Sequence, residues 1–409
     1  MQRRSWRQFD PWLLACALAL VAYGLLVIRS ATLLPDRPVS SQLLIQSAYA
    51  VVGLAGMVAL TLLDYRVLGT FAPALYGGTL GLLGLVLVLG RDVFGARRWL
   101  ALGPVTFQPS ELAKVVVILC LARYFASRQH AMRQPRTLLV SLAIALAPVA
   151  LVYRQPDLGT ALVLLAVWFG MAFVAGAPLH WLGTPLAVPL VAFPLIWRLL
   201  KEYMRRRLTT FLAPHDDPLG EGYNVLQARI SVGAGGWWGR GLGNGTQTQL
   251  NFLRVQHTDF VFAVLAEELG FIGAVGLLAL FGALFWRCLR VAARSRDTFG
   301  RLLAAGLTSM LLFQVFVNVG MNIGLVPVAG IPLPFVSFGG SSLVSIFLGL
   351  GVLQSVLIHA QARRYDTQPA VSVPASVRLH RQRFPLRWAG GALGRGSAGR
   401  RLAWPAPGR

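Results

Sequence analysis

Asp259 marks the border between a polar segment and an apolar stretch that is long enough to cross a membrane. A carboxylate at such a border can meet water and a substrate, while apolar neighbours shield one of its sides. Glu267 follows eight residues later, which places it roughly 12 Å deeper along a helix that rises about 1.5 Å per residue. Ionisable side chains within a span are costly and indicate function. The alternative is that Asp259 only caps the helix, since Asp is a favoured N-cap residue.

A second pair of charges lies in the stretch Gln108–Lys114, which opens a later apolar run. Glu111 and Lys114 are three residues apart and therefore share one face of a helix. They either pair only with each other, which lowers the cost of burial, or Lys114 holds a phosphate together with Arg97 and Arg98. We favour the functional interpretation because charge inside a membrane is costly.

Two further segments carry polar groups at the ends of apolar runs. Asp157 follows a tight turn, and it either caps the next helix or pairs with an arginine to shape a site. Pro332 and Pro334 prevent a regular helix ahead of the last apolar run. Irregular backbone at membrane depth is tolerated only where protein or a cavity covers it. Ser337 and Gly339 would offer backbone donors there, and the alternative is a plain re-entrant turn.

The elements that must position these residues are membrane-spanning helices. The chain has 409 residues, of which 56% are hydrophobic and 13% charged, whereas a soluble protein carries about 25% charged residues. Its mean hydropathy is +0.61. Apolar runs recur nearly end to end, which predicts an all-α, polytopic membrane protein. We expect ten spans, with both termini in the cytoplasm, near residues 12–28, 42–63, 67–90, 110–127, 137–153, 158–176, 182–200, 259–286, 300–325 and 338–361.

The net charge of +23 comes almost entirely from arginine. The predicted inner segments are clearly positive, as the positive-inside rule expects. The outer segments also hold arginines, which an anionic ligand would explain because guanidinium groups match phosphate oxygens. The alternative is a loop that faces anionic lipid headgroups. Nucleic-acid binding does not suit the apolar bulk of the chain, and the three cysteines show no disulfide or metal spacing.

The segment from about residue 201 to 258, between spans seven and eight, is too long to be a mere connector. Its stretch Gly233–Gly245 is rich in glycine, which lets the backbone approach a ligand closely. Residues 1–362 are expected to form one transmembrane domain that contains this outer loop. Residues 363–409 are rich in Arg, Pro and Gly and are expected to form a disordered, basic cytoplasmic tail. The sequence has no ATPase-type phosphate loop and no zinc motif, so any chemistry must draw its energy from the substrate.

Four stretches resemble motifs of the SEDS family of bacterial cell-wall polymerases, and they follow one another in the family order. They are Gln108–Lys114, Gln155–Ala161, His257–Gly270 and Pro334–Ser342. The resemblance covers about residues 10–362, and the stretch Gly245–Gln249 is more similar to the RodA branch than to the FtsW branch. Arg254 departs from the family, which commonly has proline at this position.

The resemblance implies a peptidoglycan glycosyltransferase that polymerises lipid II into β-1,4 glycan strands at the outer face of the plasma membrane, in cell elongation and rod-shape maintenance. One inverting displacement would release undecaprenyl pyrophosphate, with Asp259 as the catalytic base. The cations at the departing diphosphate would be Arg98, Lys114 and Arg240, or a divalent metal, Mg²⁺ or Mn²⁺, whose ligands the sequence leaves open. The other residues assigned to the substrate site are Glu111, which would orient Lys114, and Asp157, His257, Thr258, Ser337 and Gly339.

The resemblance also implies partners, with no nucleotide cofactor. They are a class B penicillin-binding protein, which we expect to contact the large outer loop, and other membrane proteins of the cell-elongation complex. Two other functions stay open on the sequence: a lipid II flippase, and a non-enzymatic scaffold of the cell-wall synthesis complex. The clustering of charge on the outer side argues against a flippase, which needs a polar path through both leaflets.

Overall fold

Helices make up most of the chain in a computed structural model, which describes residues 8–32, 40–93, 96–102, 105–192, 197–198, 202–216, 220–250, 252 and 258–359. All of these residues belong to one compact unit, Met1–Arg363. The predicted tail, residues 363–409, lies outside the described residues, so its disorder stays a prediction.

The elements follow one another along the chain without long irregular stretches between most of them. They are α1 (Pro11–Ala31), α2 (Ser41–Leu62), α3 (Tyr65–Leu89), β1 (Arg91–Val93), β2 (Ala96–Leu102), β3 (Val105–Phe107), α4 (Pro109–Ser127), α5 (Pro135–Arg154), α6 (Leu158–Val174), α7 (Leu179–Val191), α8 (Glu202–Leu212), α9 (Glu221–Ala234), α10 (Thr246–Gln249), α11 (Val261–Arg294), α12 (Thr298–Ile323) and α13 (Gly340–His359).

Each predicted span falls on one of these helices. Within the described residues, seven helices are long and apolar enough to cross a membrane, namely α1, α2, α3, α5, α11, α12 and α13. The other three predicted spans fall on α4, which has 19 residues but carries charged side chains, and on α6 and α7, which have 17 and 13 residues. The all-α, polytopic membrane class predicted from the sequence is therefore confirmed.

The centre of the bundle includes the last two helices, α12 and α13. In α12 and α13, 72% and 83% of the apolar window is buried within the protein, against 17% in α2. Helices α2 and α3 instead leave many apolar side chains exposed, which suits contact with lipid. The polar side chains that α12 and α13 carry are consequently surrounded by protein.

The bundle has two chemically different ends. The arginine-rich end contains the starts of α1, α3, α5 and α12 and the ends of α2, α4, α11 and α13, and its arginines include Arg66, Arg123, Arg128, Arg133, Arg136, Arg287, Arg290, Arg294, Arg296 and Arg301. The motif end is the opposite one, where α4, α6, α11 and α13 begin. The starts of these four helices fall within the four family-like stretches, so the motifs gather at one end.

Asp10 ties three helices together at the arginine-rich end. Its carboxylate caps α1 by accepting from the N–H groups of Trp12 and Leu13, both at 3.1 Å, and pairs with Nη2 of Arg287 in α11 at 2.5 Å. Gln354 of α13 exchanges two hydrogen bonds with the main chain of Asp10, at 3.0 and 2.8 Å. This end is thus held by buried polar contacts rather than by apolar packing alone.

Two details were not predicted from the sequence. The connection between α3 and α4 is a three-stranded antiparallel sheet in the order β1-β2-β3. The segment 201–258, predicted to be an outer loop, is largely helical where it is described, because it contains α8, α9 and α10. Short strands and short helices carry weak sequence signals, since tertiary contacts rather than local propensity stabilise them.

Candidate active site

Asp259 lies two residues before α11, at the motif end. Its main-chain carbonyl accepts hydrogen bonds from Nδ2 of Asn318 at 3.2 Å and from Nδ2 of Asn322 at 3.1 Å. The side chain of Asn322 also accepts from the N–H of Ala263 at 3.2 Å. The N-cap of α11 is Phe260, without a side-chain capping bond, so Asp259 lies outside the capping position. Helix α12 therefore fixes the main chain of Asp259 and leaves its side chain half-buried.

The segment between α12 and α13, residues 324–339, contains no regular helix, as its prolines predict. Oγ of Ser337 donates to the main-chain carbonyl of Thr258 at 2.6 Å. Gln46 of α2 donates to the carbonyl of Ser337 at 3.2 Å and accepts from the N–H of Gly339 at 3.1 Å. Most of residues 331–337 are buried, whereas residues 324–330 are partly exposed, and the predicted backbone donor of Gly339 is engaged by Gln46.

Gly330 brings this segment against the carboxylate of Asp259. Its φ is +64°, a conformation that favours glycine, and a Cβ placed on it would lie 3.9 Å from Oδ2 of Asp259. A Cβ placed on Gly159, in the first turn of α6, would collide with the carbonyl of Ala329. The start of α6 and the residues around Gly330 therefore meet beside Asp259.

Asp157 caps α6, which is the first of its two predicted interpretations. It accepts from the N–H of Thr160 at 3.1 Å and from the hydroxyl of the same residue at 2.9 Å. Nε2 of Gln108 donates to Oδ2 of Asp157 at 3.2 Å, and the N–H of Gln108 donates to Oγ of Ser341 at 3.0 Å. Among the described residues Asp157 has no ion pair with an arginine. Hydrogen bonds therefore join the starts of α4, α6 and α13.

Arg98 lies in β2 and is held against the turn that precedes Asp157. Its Nε donates to the carbonyl of Gln155 at 3.0 Å, and its Nη2 donates to the carbonyl of Pro156. The guanidinium group is half-buried. The small sheet thus positions the guanidinium group of Arg98 where the four motifs converge.

Glu111 and Lys114 form a buried ion pair on α4. Nζ of Lys114 lies 2.7 Å from Oε2 of Glu111, and the two side chains are 2% and 4% exposed. A pair this deeply buried costs a large desolvation penalty, which an excellent geometry only partly offsets. The observed geometry thus agrees with the interpretation that Glu111 and Lys114 pair with each other. A role of Lys114 in binding phosphate stays a prediction.

Helix α11 is interrupted at Gly270, and the glycine-rich stretch supplies hydrogen-bond partners for the backbone groups at the interruption. The backbone of Gly270 has φ 66° and ψ −166°, a region that is essentially restricted to glycine. The N–H groups of Arg240 and Gly241 donate to the carbonyls of Glu267 and Glu268, at 3.0 and 2.9 Å. In return, the N–H groups of residues 271 and 272 donate to the carbonyls of residues 236 and 237, at 2.8 and 3.2 Å. These glycines therefore approach another stretch of backbone, where the sequence had suggested a ligand.

Glu267 and Glu268 hold the following residues of the same stretch. Glu267 accepts from the N–H of Gln247 at 2.9 Å and from the hydroxyl of Thr248 at 3.0 Å. Glu268 accepts from the hydroxyl of Ser30 at 2.5 Å and from the N–H of Gly243 at 3.3 Å. Both side chains are fully buried. The hydrogen bonds from Gln247 and Thr248 thus explain why the carboxylate of Glu267 lies within an apolar helix.

Arg240 is exposed and bonds within its own segment. Its Nη1 donates to the hydroxyl of Thr246 at 3.1 Å, and its Nε donates to the carbonyl of Ala234 at 3.3 Å. Its N–H donates to the carbonyl of Glu267 at 3.0 Å, so Arg240 lies beside Glu267. His257, assigned to the substrate site, and the divergent Arg254 lie outside the described residues, so nothing tests their assignments.

Several polar residues of this region were missed on the sequence. Gln314, Asn318 and Asn322 are fully buried on α12 and stand four residues apart, which places them along one helix face. The amide of Gln314 has no hydrogen-bond partner within the described protein. Gln46 is a similar buried amide on α2. A regular spacing of amides within an apolar run was the signal that could have revealed the first three.

No three side chains of His, Cys, Asp or Glu lie close enough to hold a metal ion, within the residues that are described. Mg²⁺ commonly binds through one or two carboxylates together with substrate phosphates, so a half-buried carboxylate such as Asp259 is compatible with that arrangement.

The chain is similar to known proteins over most of its length. The sequence profile of the cell cycle proteins FtsW, RodA and SpoVE matches residues 11–362. The peptidoglycan glycosyltransferase MrdB of Escherichia coli (strain K12) is 43% identical over 358 residues, which cover 86% of this chain and 94% of MrdB. A probable peptidoglycan glycosyltransferase FtsW of Geobacter sp. (strain M18) is 39% identical over 362 residues, covering 85% of this chain and 96% of that protein.

Two solved structures share the fold. A chain from a peptidoglycan synthase complex that coordinates polymerization and crosslinking is 38% identical, with a TM-score of 0.77, and the match covers 87% of this chain and 99% of that one. The rod shape determining protein RodA of Thermus thermophilus is 35% identical, with a TM-score of 0.66 and the same coverage of both chains.

Proposed function

The chain belongs to the cell cycle protein family of FtsW, RodA and SpoVE, and we propose on this premise that it polymerises lipid II into β-1,4 glycan strands. It is a peptidoglycan glycosyltransferase, the activity by which its relatives MrdB and FtsW are named. The rod shape determining protein among its structural neighbours supports a role in cell elongation. The observation that carries the proposal is the convergence of all four motifs around the half-buried Asp259.

The reaction is one inverting displacement. The 4-hydroxyl oxygen of the acceptor sugar forms a bond to the anomeric carbon of the donor. The bond between that carbon and the diphosphate oxygen breaks, and undecaprenyl pyrophosphate leaves with the electron pair. The proton of the attacking hydroxyl passes to a base, for which we propose Asp259, because a positioned base contributes roughly 10²–10⁴-fold to the rate.

The main-chain contacts of Asp259 support this role. Asn318 and Asn322 hold its carbonyl, and Ser337 holds the carbonyl of the preceding Thr258. A base must be kept within hydrogen-bond reach of the hydroxyl it deprotonates, and small displacements are costly in rate. Residues that contact no substrate would thus set the position of the carboxylate.

The diphosphate requires positive charge where it departs. We propose Arg98 for this role, since its guanidinium group lies beside the start of α6 with some donors still unused within the described residues. Lys114 would contribute if its ammonium group exchanged Glu111 for a phosphate oxygen, and Arg240 would act from the glycine-rich stretch. A divalent cation, if bound, would neutralise charge on the diphosphate.

The direction in the membrane follows from charge. The arginine-rich end suits the cytoplasmic side under the positive-inside rule, and the motif end then faces outward, where we propose that glycan strands form. A partner is also proposed: a class B penicillin-binding protein that contacts the outer segment 201–258. The similarity to a chain of a complex that coordinates polymerization and crosslinking supports such a partner.

A polymerisation assay tests the function. The full chain, with and without its penicillin-binding partner, is incubated with lipid II, and glycan strands are separated on a gel. We expect strands from the unchanged protein and a loss of about 10²-fold or more in Asp259→Asn, which keeps the shape of the side chain and removes the base. The same assay tests whether a divalent cation is required: a chelator is added, Mg²⁺ or Mn²⁺ is then restored, and strand synthesis is compared.

Ser47→Ala is the control, because among the described residues the hydroxyl of Ser47 bonds only the carbonyl of Leu43 in its own helix. Full strand synthesis by Asp259→Asn would exclude this residue as the base. Absence of strands from every form, combined with transport of lipid II across vesicles, would favour a flippase instead.

A further inference from the structure

A cavity of about 500 Å³ opens at the arginine-rich end, away from the candidate active site. Its walls are the first turns of α3, the last turns of α4 and the connection from α11 to α12, with lining residues Arg66, Gly69, Thr70, Arg123, Ala126, Arg296, Asp297 and Phe299. This volume lies within the range of ligand sites, roughly 300–1,000 Å³. Three guanidinium groups and one carboxylate make the lining basic.

The carboxylate does not cancel this charge. Asp297 accepts from the hydroxyl of Tyr65 at 2.6 Å, and its single negative charge stands against the three guanidinium groups of the lining. Oδ2 of Asp64 lies 3.6 Å from Nη1 of Arg66. Both side chains are part-exposed, so their electrostatic attraction is weak. Arg296 is exposed and makes no ion pair with another described residue. The cavity thus keeps a net positive charge for a ligand.

Arg123 is held by two main-chain carbonyls of α3, one of which lacks its helical donor because of a proline. Pro73 has no N–H and cannot bond the carbonyl of Gly69, four residues earlier in α3. Nη1 of Arg123 donates to that carbonyl at 2.5 Å and to the carbonyl of Thr70 at 2.7 Å. Both bonds use the same nitrogen, so within the described protein Nε and Nη2 of Arg123 are left to contact a ligand.

A second cavity, of about 270 Å³, shares Arg123 with the first one. It lies between α3, α4 and α5, deeper along the helices, and its lining is mostly apolar: Ala72, Pro73, Tyr76, Cys120, Tyr124, Ser127 and Ile144. A basic cavity beside an apolar groove, with Arg123 lining both, matches a molecule with an anionic head and a hydrocarbon chain. Basic pockets between membrane helices bind anionic lipid headgroups.

We propose that this composite site binds one anionic phospholipid from the leaflet at the arginine-rich end. The phosphate lies among Arg66, Arg123 and Arg296, since arginine forks match phosphate oxygens. One acyl chain enters the groove beside Tyr76 and Ile144. A lipid bound here bridges α3, α4 and the α11–α12 connection at the end opposite the reaction.

Native mass spectrometry of the purified full-length protein tests the proposal. The protein is titrated with phosphatidylglycerol and, separately, with phosphatidylcholine that has the same acyl chains. We expect one phosphatidylglycerol to bind at least tenfold more tightly than phosphatidylcholine. The double variant Arg66→Gln/Arg296→Gln is expected to lose about tenfold of this affinity, and Arg66→Lys/Arg296→Lys to recover part of it.

The matched control for charge is Arg290→Gln/Arg294→Gln, which removes the same charge from exposed positions of the same end that do not line the cavity. Equal losses in the two double variants would mean diffuse attraction and overturn the proposal. For the groove, Ile144→Trp should reduce phosphatidylglycerol binding, whereas Leu139→Trp, at a position 64% exposed on the same helix, should not.

A competition experiment distinguishes a site for a lipid from a site for free phosphate. Inorganic phosphate and glycerol phosphate, at millimolar concentration, are added to the lipid-bound protein. The lipid should stay bound, because neither competitor fills the apolar groove. Displacement of the lipid by inorganic phosphate, with no effect of Ile144→Trp, would show a simple anion site and contradict the lipid proposal.

Discussion

At Asp259 the main chain and the side chain are held by different parts of the protein. Two amides of α12 and a hydroxyl from the 324–339 segment secure the backbone around it. The carboxylate is half-buried next to Gly330. Single polar residues in this protein therefore act mainly by positioning backbone, which is expected where water cannot satisfy main-chain groups.

The buried pair Glu111–Lys114 allows a test of whether its charge serves structure or catalysis. Glu111→Gln leaves a buried ammonium group without its carboxylate, so we expect a loss of about 3–5 kcal/mol in stability. The double variant Glu111→Gln/Lys114→Met should recover most of the thermal stability but not the polymerisation activity. Full activity of the double variant would show that the pair is only structural.

An exposed pair on α8 provides the comparison. Arg206 and Glu202 are also 2.7 Å apart, but their side chains are 76% and 77% exposed. Exposed pairs contribute roughly 0.2–1 kcal/mol. Glu202→Gln should therefore leave the unfolding temperature nearly unchanged, measured in the same detergent by the same dye or fluorescence signal.

Among the elements, α11 is the one whose break has a clear physical cause. Its backbone at Gly270 leaves carbonyl and N–H groups without helical partners, and four hydrogen bonds to residues 236–241 replace them. Unsatisfied backbone groups at membrane depth cost several kcal/mol each. The break and the glycine-rich stretch thus stabilise each other, and neither is expected to persist alone.

Gly270→Ala tests this mutual dependence. A Cβ at this position would collide with the N–H of Gly239 and approach the carbonyl of Trp237, and the backbone region itself costs about 1–3 kcal/mol for other residues. We expect a lower unfolding temperature and faster proteolysis of the 235–245 stretch. Gly276→Ala is the control, because a Cβ there has no atom within 4 Å outside its own helix; it should be neutral or stabilising.

For the whole molecule, the separation of charge between the two ends predicts an orientation. The arginine-rich end should face the cytoplasm and the motif end the outside. The same separation puts the reaction and the proposed lipid site at opposite ends of one bundle. Helices α3 and α4 contribute residues to the lipid site, and α4 also carries the Glu111–Lys114 ion pair.

Single-cysteine labelling measures the orientation. In a background in which the three native cysteines are replaced, Ser41→Cys should react with a membrane-impermeant maleimide in intact spheroplasts, since Ser41 is exposed at the first residue of α2, at the motif end. Arg133→Cys should react only after permeabilisation. The reverse pattern would contradict the proposed orientation and, with it, an outward-facing reaction.

The sequence alone was sufficient for the membrane class, the approximate helix positions and the four motifs, because hydropathy and motif spacing are local properties of the chain. The Asp157 cap and the irregular segment after α12 also followed from nearby residues. Which motifs touch, and how, required the folded chain. Gln46 bonds Ser337 across a separation of 291 residues, and the glycine-rich stretch bonds the break in α11. No local pattern encodes such contacts, since their stability comes from burying polar groups together, and that happens only once distant helices have packed.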